Sequence, residues 1–258
     1  MIKCRAYSYF LWPVALFLIM VGRPGYGQTG FEAGRAILVG AQGSYLGASG
    51  DWSDQFTDLG LVGPQVGLKT GDNWVFSLGG SFGFGDQARD VQSALGPLLT
   101  GNGQIINTNG NFAKAQLLQR MVTGRLEVAK ILPFAQFNRN SGPLIGLNGG
   151  MAWHWLGLQN LESDVPPLTG ASKKGYDQMR QGVILGASLG YHFMSRNERI
   201  NFSLRMEVAQ MYTQSVRKYH YAIDNQPSGT QANQLYGLKL SWFIPLYRGE
   251  KSSQYYYK

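Results

Sequence analysis

Between Ala36 and Tyr247, apolar residues alternate with small or polar ones in eight separate stretches. Period two is the signature of a strand, because successive side chains point to opposite faces. The stretches run over about Ala36–Leu46, Leu61–Lys69, Trp74–Phe84, Leu118–Leu132, Pro143–Trp155, Gly182–Met194, Ile200–Thr213 and Leu235–Tyr247. The third is the cleanest. Trp74, Phe76, Leu78, Phe82 and Phe84 share one face, and Val75, Ser77, Gly79, Ser81 and Gly83 share the other. A face rich in aromatics opposite a face of glycine and serine suits a sheet with lipid on one side and a tight interior on the other. Pro64 interrupts the second stretch, and since it has no N–H for the ladder a bulge is expected there.

The connectors alternate between long and short. Thr70-Gly71-Asp72-Asn73, Asn138-Arg139-Asn140-Ser141-Gly142 and Ser195-Arg196-Asn197-Glu198 are compact turn clusters. The longest connector, from about Asp86 to Leu117, reads as a mobile loop, and others run from about Gly157 to Gln178 and from Gln214 to Asn233. The expected fold is all-β: an eight-stranded antiparallel up-and-down transmembrane β-barrel with a plugged lumen. In an outer membrane the long loops would lie outside, and the short turns and both chain ends in the periplasm. Trp74, Trp153, Trp155, Tyr191, Tyr212, Trp242 and Tyr247 fall toward strand ends, as an aromatic girdle would.

Ahead of the first strand, Lys3 and Arg5 precede a mostly apolar run from Phe10 to Val21, and Gly25-Tyr26-Gly27 offers small residues for cleavage. Residues 1–27 therefore read as a signal peptide, residues 28–247 as the barrel and residues 248–258 as a periplasmic tail. The apolar run is too short for a spanning helix. The only cysteine, Cys4, lies within the signal, so the mature chain would hold no disulfide, cysteine metal site or cysteine nucleophile. Removing the signal leaves 20 basic and 15 acidic residues, scattered without the clustered basic face that nucleic-acid binding needs. A modest basic surplus favours anionic lipid and lipopolysaccharide near the loops.

Charges on the inward faces are the main candidates for chemistry. Arg125 and Glu127 form one Arg-x-Glu, Arg205 and Glu207 a second, and Lys69 and Lys239 lie on the same side. An eight-stranded barrel has room inside only for side chains. Buried charges must be paired, so these six residues are expected to form a structural polar network. The histidines, His154, His192 and His220, show no local nucleophile arrangement, and Ser215 near His220 is a weak signal. No catalytic site, metal cluster or cofactor motif is expected.

Several stretches of the C-terminal third carry a family likeness: Gly175-Tyr176-Asp177, Arg199-Ile200-Asn201-Phe202, Leu235-Tyr236-Gly237-Leu238-Lys239, and Trp242-Phe243-Ile244-Pro245-Leu246-Tyr247. With the tail Tyr255-Tyr256-Tyr257 they resemble small outer-membrane barrels of Bacteroidota, of OmpA/OmpX-like architecture. The resemblance implies a non-enzymatic role as a structural or accessory subunit of an envelope complex, in protein secretion (a PorG-like role) or outer-membrane protein assembly. Tyr255, Tyr256 and Tyr257 would then be candidate partner-binding residues. The alternatives are a stand-alone OmpX-like surface or adhesion barrel acting through its loops, and a lipid A-modifying barrel enzyme.

Overall fold

The computed structural model describes residues 35–50, 58–87, 94–113, 115–133, 138–160, 165–170, 172–195, 201–221 and 229–247. The expected signal peptide, the tail with Tyr255, Tyr256 and Tyr257, Ile200, and most of the third short turn lie outside these residues. Eight long strands are present: β1 (Ala36–Gly50), β2 (Asp58–Lys69), β3 (Trp74–Gln87), β4 (Ala115–Ile131), β5 (Gly142–Asn160), β6 (Arg180–Met194), β7 (Asn201–Ser215) and β8 (Thr230–Tyr247). Each pairs antiparallel with its neighbours in sequence, and β8 pairs with β1 from Ala36↔Tyr247 to Gly50↔Asn233, closing the ring. Closure leaves no strand edge to be satisfied by other means.

The outward positions are those the alternation assigns to lipid. Leu78, Leu126, Leu147, Leu189, Val208 and Leu238 are all exposed. Such a continuous apolar wall is unfavourable against water and stable against hydrocarbon. On β4 it is bracketed by Arg120 and Lys130, ten residue steps apart. At about 3.3 Å per residue and a tilt of about 40°, those ten steps rise about 25 Å, the height of an outer-membrane apolar band. At the turn-side margin, Lys130 Nζ lies 4.9 Å from the Trp74 ring centroid and donates to Asp72 O at 2.6 Å.

Pro64 causes no bulge. Ala41↔Pro64 sits in an unbroken register with β1, and on the β3 side the ladder skips Gly63 and Pro64 between Val62↔Phe82 and Gln65↔Gly79 without changing register. Losing one N–H costs a bond there but does not force an extra residue into the strand. The irregularity falls instead between Phe84 and Gln87, where β3 pairs with β4.

Strands also outrun the apolar pattern, always at the loop side. β1 continues past Leu46 to Gly50, β5 past Trp155 to Asn160, and β8 begins at Thr230. Around these loop-side ends the alternation reverses. Gln159, Gln181, Gln214 and Gln234 face outward and exposed, while Leu46, Leu59, Leu156, Leu158 and Leu235 are buried inside. The wall has left hydrocarbon for water, and the interior has become an apolar core. Polar pairs bridge the outer face at this level: Tyr45 Oη to Asp58 Oδ2 at 2.6 Å, Trp153 Nε1 to Gln181 Oε1 at 3.2 Å, and Gln214 Nε2 to Thr230 Oγ1 at 3.1 Å.

The longest connector was expected to be a mobile loop. Its described part instead carries a 3₁₀ turn (Gly96–Leu98) and a hairpin pairing Ile105–Ile106 with Phe112–Ala113. Ala94, Leu95, Ile105 and Ala113 are buried against the barrel's upper core, which is what orders it.

Candidate functional site: the filled lumen and its loop cap

The interior is stacked in three layers. The turn-side layer is mainly apolar, built on Ala36, Leu38, Val75, Ala129, Ile131, Leu144, Met194 and Phe243. The loop-side layer is apolar too, combining strand residues such as Leu61, Met121, Ile184 and Met211 with Val165, Leu168 and Tyr176 from the connector between β5 and β6. Between them lies a charged layer in which every ionic side chain is less than a tenth exposed.

The two Arg-x-Glu motifs pair with each other across the lumen. Arg125 on β4 binds Glu207 on β7, and Arg205 on β7 binds Glu127 on β4. β4 and β7 are not neighbours in the ring. The spacing places Arg and Glu of each motif on one inward face, so two antiparallel copies meet in complementary order. Lys239 on β8 adds a second cation to Glu127, with Nζ 2.9 Å from Oε2. Arg205 Nη2 donates to Ser241 Oγ at 3.3 Å. Gln42 Nε2 donates to Ser81 Oγ at 2.9 Å on the far wall. Inward glycines leave room for these long side chains, since a Cβ on Gly79 would lie 2.5 Å from Gln42 Nε2.

Lys69 is not part of this cluster. It is fully buried at the turn end, where its Nζ donates to Asn140 Oδ1 at 2.8 Å in the turn between β4 and β5. Sequence periodicity fixed its face but not its height. His192 lies at the same end, stacked on Phe243 at 4.8 Å, and His154 lies at the loop end with Nε2 3.2 Å from Thr213 Oγ1. Of the aromatic set, Trp74, Tyr212 and Trp242 are exposed on the wall, and Trp153, Trp155 and Tyr191 are half-buried there. Only the backbone pairing of Tyr247 is described.

A second cluster lies at the loop-side mouth; its members sit on two separate connectors, so no spacing motif joins them. Asp177 and Arg217 form a two-point ion pair, with Arg217 Nε donating to Asp177 Oδ1 at 2.8 Å. Tyr176 and Tyr221 pack at 5.2 Å, and Tyr221 N donates to Gly175 O at 3.1 Å. Lys173 Nζ donates to Leu158 O at 2.6 Å, tying the connector to β5. The hydrogen bond to Asp177 raises the pKa of Arg217 above its ordinary value. Burial raises that of the Tyr176 hydroxyl, with a further contribution from Tyr221. His220, only 5% exposed, has its pKa lowered, chiefly by burial and then by Arg180; Arg217 lowers it further while Asp177 opposes. The hydroxyl of Ser215 is engaged with the backbone N–H and carbonyl of Arg217, at 3.2 Å each, and not with His220. No group of three or more His, Cys, Asp or Glu suited to a metal occurs among the described residues.

Ring closure, an apolar wall and a lumen filled from end to end define an eight-stranded antiparallel up-and-down barrel of the membrane type. No family model matches the chain, and no curated protein matches it. Among solved structures, the chain is similar to the outer membrane protein OprG from Pseudomonas aeruginosa, at 14% identity and a TM-score of 0.34 over 84% of this chain and 96% of that one. The architectural assignment rests on the eight ladders themselves.

Proposed function

We propose that this protein is an integral outer-membrane barrel that works without an open channel, as a non-enzymatic structural or accessory subunit of an envelope complex. The observation that carries the reading is the filling of the lumen. Apolar, ionic and apolar layers succeed one another along its axis, so solute passage is disfavoured and the working surfaces are the wall and the loop cap. The cap supports this, because Asp177–Arg217 and the Tyr176–Tyr221 packing hold two connectors together as one surface. The likeness of Leu235–Lys239 and Trp242–Tyr247 to small Bacteroidota barrels points the same way, toward secretion or assembly machinery. Lipopolysaccharide is the lipid partner, met by Arg120 at the loop-side margin of the wall.

Affinity purification of the tagged protein in mild detergent tests the subunit role. A stoichiometric protein partner, reduced when Asp177 is replaced by alanine, is the expected result. A monodisperse lone barrel, with or without the cap pair, would refute it.

A further inference from the structure

A cavity of about 20 Å³ lies on the turn side of the ionic layer, lined by Gln65, Ser77, His192, Ser203, Arg205 and Ser241 with apolar residues around them. We propose that it binds a single monovalent anion of halide size.

Several donors line this space. Arg205 is 3% exposed; its Nη1 is taken by Glu127 and its Nη2 by Ser241, while its Nε has no partner among the described residues. His192 is 2% exposed, and its Nε2, also without a partner among the described residues, donates in the Nε2–H tautomer. Gln65 Nε2 donates to Ser77 Oγ at 3.0 Å, and Arg205 donates to Ser241 Oγ, so both hydroxyl oxygens already accept and keep their protons to give. Ser203, 1% exposed, supplies a third hydroxyl.

Charge balance agrees. Among the described residues of the ionic layer, Arg125, Arg205 and Lys239 face only Glu127 and Glu207, one positive charge in excess. No carboxylate lines the cavity. An uncompensated charge is costly in a dry interior, and one bound anion removes it. The volume suits one water-sized or halide-sized guest and is too small for sulfate or phosphate. Leu38, Val75 and Phe243 line the space on its apolar side.

Crystals of the full chain refolded in sodium bromide test the proposal. The expected result is a single anomalous bromide peak within contact of Arg205 Nε and the Ser241 hydroxyl; a water-strength feature without anomalous signal overturns it. Urea titrations in chloride and in gluconate at equal ionic strength supply the energetic arm. Above the dissociation constant, each tenfold rise in free halide shifts the folding equilibrium of the wild type about tenfold. The Ser77→Ala/Ser241→Ala variant, which removes two donors and no charge, shows a weaker response. A bromide peak with no halide-dependent stabilisation means an adventitious ion only, and that result overturns the proposal too.

Discussion

Replacing Glu127 by alanine strips one carboxylate from two buried cations. Glu127 receives Arg205 on Oε1 and Lys239 on Oε2, and all three side chains are at most 5% exposed. Removing one partner from a buried ion pair costs about 3–5 kcal/mol, because it leaves an uncompensated charge in the interior. Among the described residues Glu207 is ion-paired only with Arg125, and its Oε2 has no hydrogen-bond partner. Glu207→Ala therefore leaves one cation unpaired where Glu127→Ala leaves two, and Glu127→Ala should be the more damaging. Urea unfolding of the barrel in lipid vesicles, followed by tryptophan fluorescence, measures both. Adding Arg205→Met to Glu127→Ala removes one stranded charge with it, so the double variant should recover at least about 1 kcal/mol relative to additive losses. Strict additivity, or a Glu127→Ala midpoint equal to the wild type, would refute the paired layer.

Three further outcomes follow from the same geometry. Leu126→Arg, at a position 65% exposed midway up the wall, should cost about 2–4 kcal/mol in vesicles, by the same urea titration, as a charge facing hydrocarbon does. Gly237→Ala should destabilise the barrel, because its Cβ would run into the Tyr45 carbonyl, while Gly124→Ala should be near neutral, since a Cβ there meets nothing within 4 Å; heat-modified mobility on gels separates the two. For the cap, His220 has a lowered pKa when folded, so the unfolded connector takes up a proton first as pH falls below about 6.5. Acidification from pH 7.5 to 5 should therefore reduce hydrogen-exchange protection around Tyr219–Tyr221, and His220→Gln should remove that dependence.

How much of this was legible in the sequence varies with the physical cause. Lipid on one side imposes period two, so the faces of Leu78, Arg125 or Glu207 could be read directly. The same rule hid the strand extensions. Past Leu46 and Trp155 the period persists but its sign inverts, and a search for outward apolar residues stops where the wall meets water. Ladder bonds, which do not depend on side-chain polarity, carry the strands onward. Heights along the axis were equally hidden, since they depend on the stagger between strands. That is why Lys69 could be assigned to the interior but not separated from the ion pairs. The Asp177–Arg217 pair joins residues forty positions apart on connectors with no periodic signal, and only the folded chain brings them together.

Cysteine reactivity in intact lipid vesicles tests the closed, lipid-facing barrel most directly. Cys4 is the chain's one native cysteine, so with Cys4→Ser in place single thiols can be set at will. Ser77→Cys, Ser81→Cys and Ser203→Cys place near-isosteric probes in the lumen, and Leu78→Cys and Phe82→Cys place them on the wall. The wall thiols should react with a lipid-soluble maleimide only, and the lumen thiols with neither a lipid-soluble nor a water-soluble reagent. Labelling of the lumen positions from the aqueous phase would reveal an open channel, and labelling of the wall positions from water would show that the barrel does not sit in the membrane.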